Sequence, residues 1–199
     1  MFSVNIDKLT DMTESEKESY DILADSFLEQ YEDKCHTLAF IEGGIKAFKI
    51  AAAIMERNKK VLFIDGDVSC DVFLGKYKLG KNLKGIMDYI TLDFPDLIVL
   101  EEMICGTNHE NMDIVFTGVL NDKQVTMQEE AFMEKLIKAY QEKYDYIIMD
   151  SDKSGVLAKY CDGTLVIIDE CDYSELSAQK LTEELEINGC KVLGVIINE

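Results

Sequence analysis

The chain has 199 residues, enough for one compact domain with a substantial core. Hydrophobic residues make up 47% of it, which excludes a disordered protein, and no apolar run approaches the ~20 residues that cross a membrane. The formal net charge is −19, which repels nucleic-acid backbones and anionic lipid, so we expect no nucleic-acid partner and no direct membrane insertion.

Two features bear on the cellular compartment. The first seven residues have neither a basic nor an apolar region, so the sequence predicts a cytoplasmic protein without a secretion signal. Six cysteines, at positions 35, 70, 105, 161, 171 and 190, form no C-x-x-C pair. In a cytosolic chain such cysteines are mostly small buried hydrophobes, and the two histidines are too far apart in sequence to indicate a metal cluster.

The first third of the chain predicts helices that alternate with strands. Apolar residues recur at helical spacing from Glu14 to Tyr31, which predicts an amphipathic helix over 14–32. The β-prone runs Thr37–Ile41 and Lys60–Asp65 predict buried strands. Between them, the glycines at 43 and 44 interrupt the first run, and the alanine-rich segment Ile45–Glu56 predicts a second helix.

The same alternation continues to the end of the chain. Apolar runs predict strands at 97–100, 112–116, 144–150, 163–168 and 191–197, and helical periodicity predicts helices at 128–142 and 173–188. Apolar strands that alternate with amphipathic helices require crossover connections. We therefore predict a single α/β domain over 1–199, with a doubly wound, mostly parallel sheet and helices on both faces. The helix over 14–32 packs on this domain or extends from it.

Ligands bind such sheets beyond the carboxyl ends of the strands, and the first candidate there is the segment after Ile41. A phosphate loop needs glycines, a lysine, and a Ser or Thr hydroxyl for magnesium. Gly43-Gly44 and Lys46 fit this pattern, but Ile45 stands at a glycine position and Ala47 at the hydroxyl position. At a positive φ, Ile45 would cost about 1–2 kcal/mol or force a different loop shape. Taken alone, these residues favour a plain strand-to-helix turn.

Acidic residues follow two of the predicted strands. Asp65 and Asp67 flank a glycine after the strand that begins at Lys60, and Asp150 ends the apolar run that begins at Tyr144. A carboxylate at such a position can polarise an attacking hydroxyl or contact magnesium through water. It can equally cap a loop or solvate the strand end, and both readings stay open.

These motifs, in this order, resemble the P-loop tyrosine kinases of bacterial capsule and exopolysaccharide synthesis, which are relatives of the division-site and partitioning ATPases. The resemblance runs from about Glu18 to Asn198. The family's patterns E-A-Y-R-x-L-R, K-V-L-L-I-D-A-D, G-L-x-D-Y-L, Y-D-x-V-I-I-D, A-D-G-x-x-x-V-V and V-L-G-V-V-L-N align with residues 18–24, 60–67, 85–90, 144–150, 161–168 and 192–198.

The resemblance implies a site for ATP and Mg2+ and assigns a role to seven residues. By alignment, the nucleotide would be bound by Gly43, Gly44, Lys46 and Asn198, catalysis would fall to Asp65 and Asp67, and Mg2+ would be held by Asp150 with Asp65.

The departures from the family pattern are as informative as the matches. Ile45 and Ala47 remove a loop glycine and the magnesium hydroxyl. Arginines that help form an oligomeric ring in relatives are Asp21 and Ala24 here, so a homo-oligomer is left open. The usual basic pair is Val68-Ser69, the two prolines after Asp150 are missing, and the tyrosine-rich tail has no counterpart, since no tyrosine follows Tyr173.

The matches to the family pattern and the departures from it leave three functions to consider. The departures predict a non-catalytic relative that regulates polysaccharide synthesis or export through protein contacts. It would dock on the cytoplasmic tail of a membrane polysaccharide co-polymerase and so lie at the inner face of the membrane. The alternative is an active ATP-dependent tyrosine kinase or ATPase, because Lys46 and the three acids survive. A partitioning or division-site ATPase is disfavoured, because its extra loop lysine would fall at Ile41.

Overall fold

The computed structural model describes residues 2–31, 34–67, 84–89, 97–118 and 127–198. The strands of this part are β1 (Phe2–Val4), β2 (Thr37–Ile41), β3 (Val61–Asp65), β4 (Ile104–Thr107), β5 (Met112–Val115), β6 (Tyr146–Ser151), β7 (Gly163–Asp169) and β8 (Val192–Asn198). The α-helices are α1 (Asp7–Thr10), α2 (Glu14–Tyr31), α3 (Ile45–Glu56), α4 (Ile86–Tyr89), α5 (Leu97–Met103), α6 (Met127–Gln141) and α7 (Glu175–Ile187). Short 3-10 helices cover Ala158–Tyr160 and Glu170–Asp172.

The strands form one sheet in the order β1-β4-β5-β3-β6-β2-β7-β8. Every described pairing is parallel except that of β4 with β5. All positions of β2, β3 and β6 are buried, as expected for parallel strands covered on both faces. The predicted doubly wound, mostly parallel α/β fold is confirmed.

Side chains of the central strands divide between two cores, one on each face of the sheet. Along β3, Leu62 and Ile64 pack with residues of α5 and α6, whereas Val61 and Phe63 pack with α1, α2 and α3. This division follows from the alternation of side chains along a strand. No helix among the described residues is long and apolar enough to cross a membrane.

Helix bounds agree closely with the sequence prediction at α2 and α3, but one predicted strand is wrong. Residues 97–100 open helix α5, which spans Leu97–Met103. Leu100 and Met103 are both buried, and their spacing of three places them on one helical face. β1 and β4 were not predicted, because β1 has only three residues and β4 contains a glycine.

The cysteines behave largely as small buried hydrophobes. Burial raises the pKa of the Cys35 thiol to about 12 and that of Cys105 to about 11, and it also raises the pKa values of Cys161 and Cys190. Such thiols are unreactive, because the thiolate is the nucleophile. The prediction is confirmed for these four, while Cys171 is exposed. Cys70 and Val68-Ser69 lie outside the described residues.

Helix α2 is held to α3 by the only arginine of the chain. Arg57 ion-pairs with Asp25 through Nε and donates from Nη1 to Asp21 Oδ1 at 2.9 Å. It also donates to the carbonyls of Ala53 and Asp21, at 2.7 and 2.8 Å. Because the planar guanidinium satisfies acceptors on both helices at once, it fixes their relative position.

We expect Arg57→Ala to lower the free energy of unfolding by about 1–2 kcal/mol, because partly buried carbonyl acceptors lose charged donors. Arg57→Lys should lower the free energy of unfolding by about half as much, because the lysine ammonium cannot donate to all of these acceptors as the planar guanidinium does. Urea titrations measure both values. Lys17→Ala is the control, because the Lys17–Glu56 pair also joins α2 to α3 but is exposed. Equal losses for Arg57→Ala and Lys17→Ala would contradict this role.

Candidate functional site

The loop between β2 and α3 has the tight backbone that its glycines predict. Gly44 has φ +51°, and Glu42, which is not a glycine, has φ +56°. A Cβ at Gly43 would lie 2.6 Å from Ala47 Cβ and 2.8 Å from Phe40 Cβ, so only glycine fits there. Both glycines are therefore required by the turn itself.

Ile45 adopts a different conformation from the strained one that a phosphate loop would impose. It is the first residue of α3, and the only described non-glycine residues with positive φ are Glu42 and Asn58. Ile45 therefore does not carry the cost of a positive φ that the sequence analysis considered. Lys46 N–H donates to Gly43 O at 2.9 Å, so a main-chain donor of the first helical turn is used within the loop.

The carboxylate of Asp150 lies against this loop. Gly44 N–H donates to Asp150 Oδ1 at 2.8 Å, and a Cβ at Gly43 would lie 3.3 Å from the same oxygen. Asp150 comes from the carboxyl-terminal end of β6, which pairs with β2, and it is 1% exposed. The anion beside the loop is thus a side chain of the protein itself.

A second buried carboxylate, Asp65, lies beside Asp150. The two residues are register partners at the ends of β3 and β6, and Asp65 is also 1% exposed. Neither carboxylate oxygen of Asp65 has a hydrogen-bond partner, and neither does Asp150 Oδ2. The nearby Thr117 hydroxyl donates instead to the Asp65 main-chain carbonyl, at 2.7 Å.

These surroundings raise the pKa values of both carboxyl groups. Burial raises the pKa of Asp65 to about 7, opposed by the nearby polar groups of Thr117, which lie outside good hydrogen-bond geometry to the carboxylate, and reinforced by the negative charge of Asp150. Burial likewise raises the pKa of Asp150 to about 7, opposed by the Gly44 N–H and reinforced by the charge of Asp67. A proton or a cation would relieve this repulsion. Among the described residues, however, no three His, Cys, Asp or Glu side chains are arranged to hold a metal ion.

Lys46 and Asn198 meet at a third carboxylate that the sequence analysis missed. The Lys46 ammonium ion-pairs with Asp169, and Asn198 Nδ2 donates to the same oxygen at 2.7 Å. The hydrogen bond from Lys46, followed by that from Asn198, lowers the pKa of Asp169. Asp169 ends β7, so inspection of every strand's carboxyl end would have found it.

Charged side chains also meet at the rim of the loop. Glu42 forms an ion pair with Lys153 at 3.0 Å, and both side chains are largely exposed. Of the seven predicted site residues, the structure brings Gly43, Gly44, Asp65, Asp67 and Asp150 together, and it joins Lys46 to Asn198 through Asp169. Their roles toward ATP and Mg2+ stay predictions.

The family of AAA domains matches residues 43–186, which is most of the chain. The chain belongs to this family. The match begins at the first loop glycine and contains Asp65, Asp150 and Asp169.

The sequence relatives of this AAA domain are bacterial tyrosine-protein kinases. Tyrosine-protein kinase CpsD of Streptococcus agalactiae serotype III is 27% identical over 156 residues, which cover 75% of this chain and 66% of that kinase. CpsD of Streptococcus pneumoniae serotype 4 is 25% identical over 161 residues, covering 77% of this chain and 68% of that kinase. The matched segment is slightly under two thirds of the length of the first relative.

Solved structures give the same result for the fold. The kinase domain of Escherichia coli tyrosine kinase ETK superposes with a TM-score of 0.77 at 18% identity, covering 92% of this chain and 74% of that one. The chimerical protein CapA2B2 gives a TM-score of 0.76 at 17% identity, covering 99% and 92%. At these identities the structures show a shared fold, and together with the sequence relatives they bear out the predicted resemblance to the bacterial P-loop tyrosine kinases.

The orphaned carboxylate of Asp65 leads to a pH prediction. The pKa is about 7 in the folded protein and about 4 in the unfolded chain, so the folded state binds more protons between these values. Asp65 therefore lowers stability as pH rises from about 4 to 7. Asp65→Asn removes this loss, and we expect the stability of the variant relative to wild type to rise by about 2–3 kcal/mol from pH 5 to pH 8.

Urea titrations of both proteins at pH 5 and pH 8 measure this difference. Asp172→Asn, at an exposed carboxylate, is the matched control and should follow wild type at both values. If the stability of Asp65→Asn and of wild type changed equally with pH, Asp65 would not be the source of the pH dependence.

Proposed function

We propose that this chain is a non-catalytic member of the bacterial P-loop tyrosine kinase family that regulates polysaccharide synthesis or export through protein contacts. The hydrogen bond between Gly44 N–H and the Asp150 carboxylate carries the proposal. A phosphate loop works by turning free N–H donors on an incoming anion. Here the Asp150 carboxylate of the protein itself already accepts a hydrogen bond from one such N–H group.

An incoming phosphate would meet unfavourable electrostatics at this loop. It would approach Asp150 and Asp65, two carboxylates that are almost completely buried, and like charges repel strongly where water is excluded. It would also lack its usual cation, since the Lys46 ammonium is engaged by Asp169. In this arrangement the residues do not fit a bound triphosphate.

The loop would also offer too few ligands to a magnesium ion. Ala47 has no hydroxyl to offer, and Asp150 Oδ1 already accepts from Gly44. Phosphoryl transfer depends almost wholly on positioning and charge stabilisation, so the loss of one ligand and the engagement of the lysine act together. We infer that the degenerate loop neither positions ATP nor transfers its phosphate.

Protein contacts are the remaining route to function, and an open groove supports them. The groove, of about 770 Å³, lies between α2, the first turn of α3 and the end of β8, and the side chains of Ile22 and Ile197 line it. These isoleucines are 60% and 45% exposed, and β8 is the last strand in the sheet order. A partner segment can bury such apolar side chains.

The partner in this proposal is the cytoplasmic tail of a membrane polysaccharide co-polymerase. The chain would then be a cytoplasmic protein held at the inner face of the membrane by that contact. A net charge of −19 suits a partner segment with basic residues. Asp21 of α2, which stands where relatives carry a ring-forming arginine, accepts a hydrogen bond from Arg57 of the same chain.

One observation favours a second candidate, an active ATP-dependent tyrosine kinase or ATPase. Asp65 and Asp150 Oδ2 are buried without partners, and a divalent cation would compensate both. In that case Asp150 and Asp65 would hold Mg2+, with Asp67 assisting catalysis. Asp150 could contact such a cation through Oδ2 while Oδ1 keeps the hydrogen bond from Gly44 N–H.

Calorimetric titration with ATP and Mg2+ separates the two functions. We expect no saturable heat from the wild-type chain at millimolar ATP, because the loop donor and the lysine are engaged. The kinase domain of CpsD from Streptococcus agalactiae is the positive control. Asp169→Asn, which releases the Lys46 ammonium, combined with Ala47→Ser, which restores the hydroxyl, should regain measurable binding.

Micromolar ATP affinity of the wild-type chain, followed by turnover, would reject the non-catalytic function. In that outcome, Asp65→Ala and Asp150→Ala should each abolish phosphorylation of an added tyrosine substrate. Unchanged activity in these variants would in turn reject the assigned roles of the two acids.

Fluorescence anisotropy with a labelled co-polymerase tail peptide tests the partner. We expect binding that is independent of ATP and that Ile22→Asp weakens about tenfold, because a charge replaces an apolar contact. Leu176→Asp on α7 is the matched control, since Leu176 is 79% exposed and does not line the groove. Equal weakening by both substitutions, or no binding, would contradict docking in the groove.

A further inference from the structure

The groove between α2, α3 and β8 ends at an ion pair that joins the first turn of α3 to the end of β7. Lys46 and Asn198 both line the groove, and both donate to the carboxylate of Asp169. Asn198 is also the register partner of Asp169, and paired strands lie about 4.8 Å apart. Asp169 is therefore the carboxylate at this end of the groove.

The surface beyond Asp169 is acidic. Every residue from Asp169 to Ser177 is exposed, and this segment contains four acidic residues and no lysine, arginine or histidine. Such a field attracts a basic segment and repels a second copy of this chain, whose net charge is −19. Charge complementarity thus selects the kind of partner at this end of the groove.

The Asp169 carboxylate is accessible to a cation from outside. Its side chain is 47% exposed, against 24% for that of Lys46. Exposed ion pairs contribute little net stability, because water and salt screen them and both side chains lose conformational freedom. A second cation can therefore replace Lys46 at small cost, while the hydrogen bond from Asn198 still orients the carboxylate.

Glu16, the acid in the groove lining, is held differently. It pairs with Lys49 at 3.0 Å, but it also accepts from the N–H and the hydroxyl of Thr13, at 2.9 and 3.1 Å. Its own N–H donates to the Thr13 hydroxyl at 3.2 Å, which completes a capping box at the start of α2. Asp169 precedes the 3-10 helix Glu170–Asp172, but its side chain makes no cap hydrogen bond. A change of cation at Asp169 therefore leaves the helix caps intact.

We propose that Asp169 recognises a lysine or arginine of the segment that docks in the groove, and that this cation displaces Lys46 from the carboxylate. The inference rests on the proposed function, since it concerns the same docked segment. It specifies a segment in which a basic residue lies close to an apolar one. The apolar side chain contacts Ile22 and Ile197, and the basic side chain pairs with Asp169, which lies one strand away from β8.

Lys46 is then an internal competitor of the partner, and this makes the inference testable. Fluorescence anisotropy compares a labelled co-polymerase tail peptide that contains lysine or arginine with a neutral copy in which glutamine replaces each of them. We expect Asp169→Asn to weaken the basic peptide about threefold to fivefold and to leave the neutral peptide unchanged. Lys46→Gln should strengthen binding of the basic peptide about threefold, because the carboxylate is released.

The matched control is Lys138→Gln on α6. It removes a lysine from another exposed ion pair, with Glu134, and changes the net charge equally. This variant should bind both peptides like wild type, because Lys138 does not line the groove. Equal strengthening by Lys46→Gln and Lys138→Gln would overturn the inference, since it would reflect net charge alone.

NMR of the full chain follows the displacement directly. The signal of the Lys46 side-chain ammonium is assigned by its loss in Lys46→Gln. The basic peptide should move this signal and the neutral peptide should not, because only a cation competes for Asp169. An unmoved signal, or equal movement with both peptides, would overturn the inference. If Ile22→Asp weakens the basic peptide and Asp169→Asn does not, this inference alone fails. If neither peptide binds, the proposed docking fails with it.

Discussion

The hydrogen bond from Gly44 to the Asp150 carboxylate joins the loop, the sheet and helix α3 at one point. Asp150 ends a strand that lies between β2 and β3, so its position is set by the central part of the sheet. A carboxylate buried there needs compensation, and the N–H next to the first turn of α3 supplies it. The conformation of the loop therefore depends on a negative charge that the protein provides itself.

That compensation is incomplete, and the remaining imbalance defines the site. One oxygen of Asp150 and both of Asp65 are buried without partners. A single N–H cannot neutralise two neighbouring carboxylates, so the pair favours a shared proton, and the raised pKa values express this. The same imbalance underlies the proposal that the loop repels phosphate. The backbone turn of Gly43 and Gly44 is thus bordered by buried carboxylate oxygens.

The fold was predictable because its signals lie in the order of residues along the chain. Helix α3 begins at Ile45 and ends at Glu56 as predicted, because its apolar and alanine positions follow helical spacing and glycines precede it. The parallel sheet follows from continuous apolar runs such as β3. The segment 97–100 was misassigned, because a short apolar run fits a strand or a buried helix equally well.

The site was only partly predictable, for a different reason. Strand ends identify which carboxylates share an edge, so Asp65 and Asp150 could be predicted to be neighbours. The direction of a long side chain depends on partners far away in sequence. The Lys46 contact with Asp169 spans 123 residues and could not be derived from the loop motif, which predicts only that a lysine is present. Spacing alone likewise cannot show that Asp150 turns toward Gly44.

At the carboxyl-terminal ends of the strands, the lysines that could attract a phosphate are paired, Lys46 with Asp169 and Lys153 with Glu42. Both oxygens of Asp65 and Oδ2 of Asp150 are buried there without hydrogen-bond partners. Nucleotide binding would require the reverse, with available lysines and compensated acids. The charge distribution at this end of the sheet therefore supports the proposed docking of a basic protein segment.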